Sequence, residues 1–372
     1  MTVRFIGIVH TQNVSEIHRP TGAPVDKRYL ATLANAQEHA GFDSVLIAHS
    51  SSSVDGQQVA AFVAANTDKL GLILAQRPGF IAPTYQARQL ATLDHFSDGR
   101  LAINVISGGD DTEQRRDGDW LSHDERYERT DEFLDVVKRT WNATEPFKHE
   151  GKHYRIEGQL PTVKPLNGSG VPIYFGGSSD AAIKVAAKHA DVYMLWAESL
   201  ETTAELVNRV RAEAAKHGRD KHIRFSLSSR PILAATEDKA WARAEDILER
   251  AKAQLPANTF FINRPRDPQN TGSQRLLRTV SQGRVVDKRL WTGIAELTRA
   301  AGNSTALVGT AEQVAESVLE YHKLGIDEFL FRGFDVVEDA LLYGRELLPA
   351  VRAAVASHEA GQGAADSAVR AA

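Results

Sequence analysis

Cysteine is absent from all 372 residues, which removes disulfide staples, thiolate zinc sites and any cysteine nucleophile, and fits a reducing compartment. An excess of one charge is missing too. Lys plus Arg number 44 against 48 Asp plus Glu, too balanced to recruit nucleic acid or an anionic membrane by field. No apolar run nears the roughly 20 residues that a membrane span needs. The opening MTVRFIGIVHTQ lacks the charged, apolar and small-residue regions of a secretory leader. A soluble, cytoplasmic protein with neither nucleic-acid nor membrane partners is expected. There is also no HExxH pair and no Gly-x-Ser-x-Gly elbow, which argues against a protein-bound metal and a serine hydrolase. What remains is a chain with 42% apolar and 25% charged residues, a globular balance able to bury a sizeable core.

Short β-branched runs bounded by turn residues alternate with helical patterns, the mark of βα units around a parallel sheet. They are Val3–His10, Ser44–His49, Leu70–Gln76, Leu101–Ser107, Pro172–Gly176, Val192–Trp196, Arg224–Leu233 and Glu328–Phe334. Eight such units close a barrel, so the expected fold is α/β, a (β/α)8 TIM barrel. Caps mark the helices between strands. Ser122-His123-Asp124-Glu125 and Thr310-Ala311-Glu312-Gln313 are capping boxes, and Asp26 opens a helix that stops at Gly41. The rhythm breaks at about residues 108–170 and 256–304, insertions after strands 4 and 7. Long segments of this kind are usually lids or binding loops, and both leave the strand ends where barrels place their active sites. One domain over residues 1–356 is expected, with 357–372, rich in Ala, Gly and Ser, as a frayed tail.

Chemistry-bearing residues gather at those strand ends. Tyr174-Phe175-Gly176-Gly177-Ser178-Ser179-Asp180 is a strand that ends in two glycines and opens a helix through two hydroxyls. Glycine permits close backbone approach and a helix N-terminus favours phosphate; the alternative is that the serines only cap their helix. Strand four ends in Asn104 and Ser107, with Asn104 either lining the mouth or hydrogen-bonded in the core. His10, His49 and Trp196 end strands one, two and six, each either a satisfied structural group or a catalytic one. Arg77, Arg230, Arg299 and Arg332 lie near strand ends or in the second insertion, where a guanidinium fork can grip an oxyanion if two converge.

With these runs in order along the chain, the sequence resembles the flavin-dependent bacterial luciferase-like monooxygenases, and within them is most similar to the FMNH2-dependent alkanesulfonate monooxygenases. The likeness extends through Gly41-Phe42-Asp43-Ser44-Val45-Leu46-Ile47, Arg77-Pro78-Gly79, Ala87-Arg88-Gln89-Leu90-Ala91-Thr92-Leu93-Asp94, Ser97-Asp98-Gly99-Arg100, His123-Asp124-Glu125-Arg126-Tyr127-Glu128, Leu290-Trp291-Thr292-Gly293 and Thr305-Ala306-Leu307-Val308-Gly309. The resemblance implies a barrel that takes reduced FMN from a separate NAD(P)H-dependent flavin reductase. Phosphate would lie near Gly177, Ser178 and Ser179, with His123 and Tyr127, and the isoalloxazine near Asn104 and Ser107. It further implies dioxygen as co-substrate, a small anionic organosulfur substrate split to sulfite and an aldehyde, and a homo-oligomer.

The chain departs from the sulfonate enzymes where they carry a cysteine after strand two (here Ser53), an Arg-x-His at the end of strand seven (here Ser228-Ser229-Arg230) and a Tyr-x-His near strand eight (here Phe334-Asp335-Val336). Lost donors in a polar pocket are costly for an unchanged substrate, so a related but different one is expected. The reacting end is assigned to His10 as proton donor or positioning group, Trp196 as pocket wall, Arg230 as oxyanion clamp and Arg299 as lid clamp. The alternatives are oxidation of a sulfone, a heterocycle or another small organic substrate, or a flavin-holding protein without turnover.

Overall fold

Alternation along β1 (Arg4–Val9) sends Phe5 and Val9 out to the helical layer and Ile6 inward, as a parallel strand covered on both faces requires. The computed structural model describes residues 3–168, 170–254 and 268–371, with side chains as far as residue 361. Its further strands are β2 (Ser44–Ile47), β3 (Gly71–Gln76), β4 (Leu101–Val105), β5 (Phe147–Glu150), β6 (Arg155–Gln159), β7 (Ile173–Gly176), β8 (Val192–Trp196), β9 (Arg224–Leu233), β10 (Val285–Val286), β11 (Leu290–Trp291), β12 (Ala306–Gly309) and β13 (Glu328–Phe331). Eight of them, β1-β2-β3-β4-β7-β8-β9-β13, close on themselves with every pairing parallel. This is the expected (β/α)8 barrel, its strands the eight runs legible in the sequence.

The barrel interior holds Ile6, Leu46, Ile73, Ala102, Tyr174, Val192, Met194 and Leu330 in one apolar cluster, one or two from each strand except β9. There the inward positions are Ser226 and Ser228, alternating with the outward Phe225 and Leu227. At the bottom, buried Glu328 accepts a hydrogen bond from Tyr174 at 2.7 Å and pairs with Arg224. The outer core runs from Val3 to Val355.

Local signals set the helices. Both capping boxes form, Ser122 on helix His123–Asn142 and Thr310 on Ala311–Lys323, and Asp26 caps Lys27–His39 by accepting from Arg28 and Tyr29. Leu134, Val137 and Trp141 face the core at helical spacing. The closing helix, Leu348–Ala371, runs on through Ser357. No helix among the described residues is long and apolar enough to cross a membrane.

The two insertions are built rather than loose. The first carries a short helix, Asp111–Arg116, and, beyond helix His123–Asn142, the β5–β6 hairpin. Residues 255–267 of the second lie outside the described residues; from 268 on it forms helix Thr271–Gln282, strands β10 and β11, and a short helix Gly293–Leu297. The cause lies in β9, which is ten residues long. Its first half pairs within the barrel, while Arg230–Leu233 leaves it and pairs with β12, extended by β11 and β10 into a side sheet over buried Trp291.

Candidate active site

Strand β7 ends at Gly176, and Ser179 caps helix Asp180–His189 by accepting from the Ala182 amide at 3.2 Å. Between them Gly177 has φ +124°, where a Cβ would stand 2.9 Å from Ala182 Cβ and 3.1 Å from the Tyr127 hydroxyl. Glycine is thus required twice, by conformation and by space. Tyr127 is buried and hydrogen-bonded to Ser179, and burial pushes its phenol upward against that bond. One turn earlier on the same helix, the His123 ring lies 4.9 Å from Tyr127 and its Nδ1 2.7 Å from the Asp124 carboxylate. The structure therefore brings His123, Tyr127, Gly177, Ser178 and Ser179 to one wall of the mouth. The two serines differ: Ser179 is a helix cap, whereas Ser178 is buried with a hydroxyl that no protein group satisfies. An orphan hydroxyl beside a helix N-terminus fits a bound phosphate.

Further round the mouth, His10 Nε2, His49 Nε2 and Asn104 Oδ1 are buried without partners, polar edges suited to a heterocycle. The Asn104 Oδ1 is thus not satisfied by a hydrogen bond in the core. Ser107 is committed, its hydroxyl 2.8 Å from Thr130. Helix Asp111–Arg116 is bolted over these strand ends: Glu113 takes Arg77 at 3.0 Å and the Ser51 amide at 2.9 Å, and Arg126 holds Asp111 at 2.8 Å. Arg77 is therefore a roof fastener.

Burial first, then the Arg332 guanidinium, push the His10 imidazole down to about 3. It is neutral near neutral pH, which supports a positioning role over proton donation by an imidazolium. Because the folded-state pKa lies below the unfolded one, His10 contributes stability that is intact above about pH 6.5 and lost as pH falls toward 3. Between about pH 7 and 5 the wild type should lose up to about 2 kcal/mol more than His10→Gln. Urea unfolding at both pH values measures it, and identical losses in the two proteins would refute a buried neutral His10.

Arg230 does not stand free as an oxyanion clamp. Its guanidinium is fully buried, 2.5 Å from Glu16, donates to the Gly333 carbonyl at 3.0 Å and lies 3.6 Å over the Phe334 ring. Burial lowers it to about 10 while Glu16 pulls the other way. Burial acts to raise the Glu16 carboxyl, but Arg230 and Arg332 outweigh it and hold it at about 2. The role expected of Arg230 is corrected: its charge is already spent inside the wall.

Trp196 ends β8 under the second insertion, where a Cβ on Gly272 would lie 3.1 Å from its ring. Buried Glu198, two residues on, takes Arg275 of helix Thr271–Gln282 in a two-pronged pair at 3.0 and 2.7 Å. Asn303 donates to Ser228 midway along β9, where the strand is about to leave the barrel. The insertions touch each other: the Asp111 amide lies 3.4 Å from the Gln269 side chain, and Gly109 faces Asn270. Arg299 is exposed in a left-handed turn (φ +53°), while the next residue, Ala300, is buried in the cluster that holds Trp196.

Sequence reasoning passed over Glu16, Glu198 with Arg275, and Asn303. Only Glu16 had a usable signal, since arginines at strand ends of a packed mouth call for a countercharge.

A barrel with a glycine turn and an orphan hydroxyl after its fifth strand, and unpartnered polar edges at other strand ends, fits a cofactor-binding enzyme. The model of the luciferase-like monooxygenase family matches residues 3–328. The chain belongs to that family, and with it to the flavin-dependent oxidoreductases. Solved structures with the same fold include the riboflavin lyase RcaE (21% identity, TM-score 0.77, covering 95% of this chain and 92% of that one). The EDTA monooxygenase EmoA from Chelativorans sp. BNC1 is similar at 20% identity (TM-score 0.75, 95% and 94%), and DmoA from Hyphomicrobium sulfonivorans at 21% (TM-score 0.74, 94% and 88%).

Proposed function

We propose that this chain is an FMNH2- and O2-dependent monooxygenase that cleaves the carbon–sulfur bond of an organosulfonate to sulfite and an aldehyde. One observation carries the reading: the same mouth holds a phosphate-suited turn at Gly177–Ser179 and, near His10, two arginines sharing the single carboxylate of Glu16. The first suits a flavin mononucleotide, the second a small anion beside it.

Reduced FMN, delivered by a separate NAD(P)H-dependent reductase, supplies the electrons and activates dioxygen. The protein's own work is positional. Ser178, Ser179, Tyr127 and the amides opening helix Asp180–His189 hold the phosphate, while Asn104 and His49 offer polar edges to the ring. Trp196 forms the wall beneath Gly272, and the helices from both insertions roof the mouth against water. Neutral His10 presents its buried Nε2 to orient the reacting end.

The test is sulfite release from alkyl, aryl and sugar sulfonates with purified protein, a flavin reductase, NADH and FMN in air. Sulfite from one member supports the reading. Oxidised products without sulfite, from sulfones or heterocycles, would replace the sulfonate with a neutral substrate; tight flavin binding with no product would leave a flavin-holding protein.

A further inference from the structure

We infer that Arg332, set against the Glu16–Arg230 pair, reads the charge of the substrate and fits the site to a headgroup carrying one negative charge. This deepens the proposed function by naming the group that selects its substrate.

Arg230 is unable to serve, since turning toward a ligand would strip it from Glu16, the Gly333 carbonyl and the Phe334 face at once. Arg332 differs in each respect. It directly follows the last residue of β13 and so stands at the mouth, with its amide on the Ser229 carbonyl at 3.4 Å. Its guanidinium is 3.8 Å from Glu16, beyond hydrogen-bond reach, and its Nε, like that of Arg230, is buried without a partner. Its side chain keeps 21% exposure where those of Arg230 and Glu16 keep 0% and 6%. A guanidinium with unspent donors, anchored by attraction but not saturated, is the group able to receive an oxyanion.

The charge count then sets the ligand. Two arginines against one carboxylate leave a single positive charge. The neighbouring His10, held neutral by burial and by Arg332, adds none. A monoanion such as a sulfonate balances it. A dianion would carry its second charge unpaired into a partly desolvated pocket, which is costly.

Butyl sulfate and butyl phosphate separate these cases, being of one shape but about one charge apart near pH 7. Titration calorimetry on enzyme saturated with FMN should show butyl sulfate binding roughly tenfold or more tightly than butyl phosphate. Arg332→Gln should weaken butyl sulfate by roughly ten- to a hundredfold and leave FMN affinity unchanged, with Arg332→Lys recovering part of the loss. Glu16→Gln, where it folds, should narrow or reverse the preference. Unchanged sulfate binding in Arg332→Gln, a wild-type preference for phosphate, or no binding of either ion overturns the inference. Sulfite release persisting beside unchanged sulfate binding in Arg332→Gln would sink this inference alone. The predicted charge preference without sulfite from any sulfonate would sink desulfonation alone.

Discussion

Arg275→Met is expected to lower the unfolding free energy by about 3–5 kcal/mol, because it strands a buried carboxylate. Glu198 and Arg275 are each 5% exposed and meet in a two-pronged pair, with a further bond from Arg275 to the Thr202 carbonyl at 2.8 Å. Removing either partner leaves the other charged and dry. Removing both does not, so Glu198→Met/Arg275→Met should be more stable than either single variant, by a coupling of about 2 kcal/mol or more in the double-mutant cycle. Urea denaturation of the four proteins measures it. If the double variant is as unstable as the sum of the singles, the pair is no closed unit and the argument fails. The pair also fastens helix Thr271–Gln282 over Trp196, so the single variants should show faster hydrogen exchange along that helix before the barrel opens.

What the sequence made legible was local. Ser122 and Thr310 could be read as capping boxes because the atoms that satisfy them lie three residues away. The barrel strands were readable because burial on both faces forces apolar runs between turn residues. The β5–β6 hairpin has no such signature: of its β5 strand Phe147 alone is buried, and β6 has no buried residue. Strand β12 reads like any short apolar run, and nothing in Ala306–Gly309 says that its partner is the second half of β9.

The site divides along the same line. The turn at Gly177–Ser179 is contiguous, so its residues announced one another. Arg230 was visible as a cation at a strand end, but its partner Glu16 lies over two hundred residues away, and no periodicity connects them. The engagement of Arg230 by Glu16 was therefore invisible along the chain. Glu198 and Arg275 failed for the same reason, each being an ordinary charged residue until the fold buries it.

Gly177→Ala should weaken FMN by roughly tenfold to a hundredfold and destabilise the protein by about 1–3 kcal/mol, the range for a side chain forced into a left-handed conformation. Its new methyl would meet Ala182 Cβ at 2.9 Å and the Tyr127 hydroxyl at 3.1 Å, so the turn must shift, taking Ser178, Ser179 and the helix amides out of line. Ser178→Ala isolates the chemical part of that effect. Its hydroxyl is buried without a protein partner, so deleting it breaks no bond and should leave the stability of the flavin-free protein unchanged within about 0.5 kcal/mol. It should still cost FMN roughly ten- to a hundredfold, the worth of a hydrogen bond to a charged group. Riboflavin, which lacks the phosphate, should bind both wild type and Ser178→Ala equally. Flavin fluorescence quenching reads both affinities. A parallel fall for FMN and riboflavin in Ser178→Ala would mean that the hydroxyl touches the ring system, and the phosphate would then have to be placed elsewhere in the mouth.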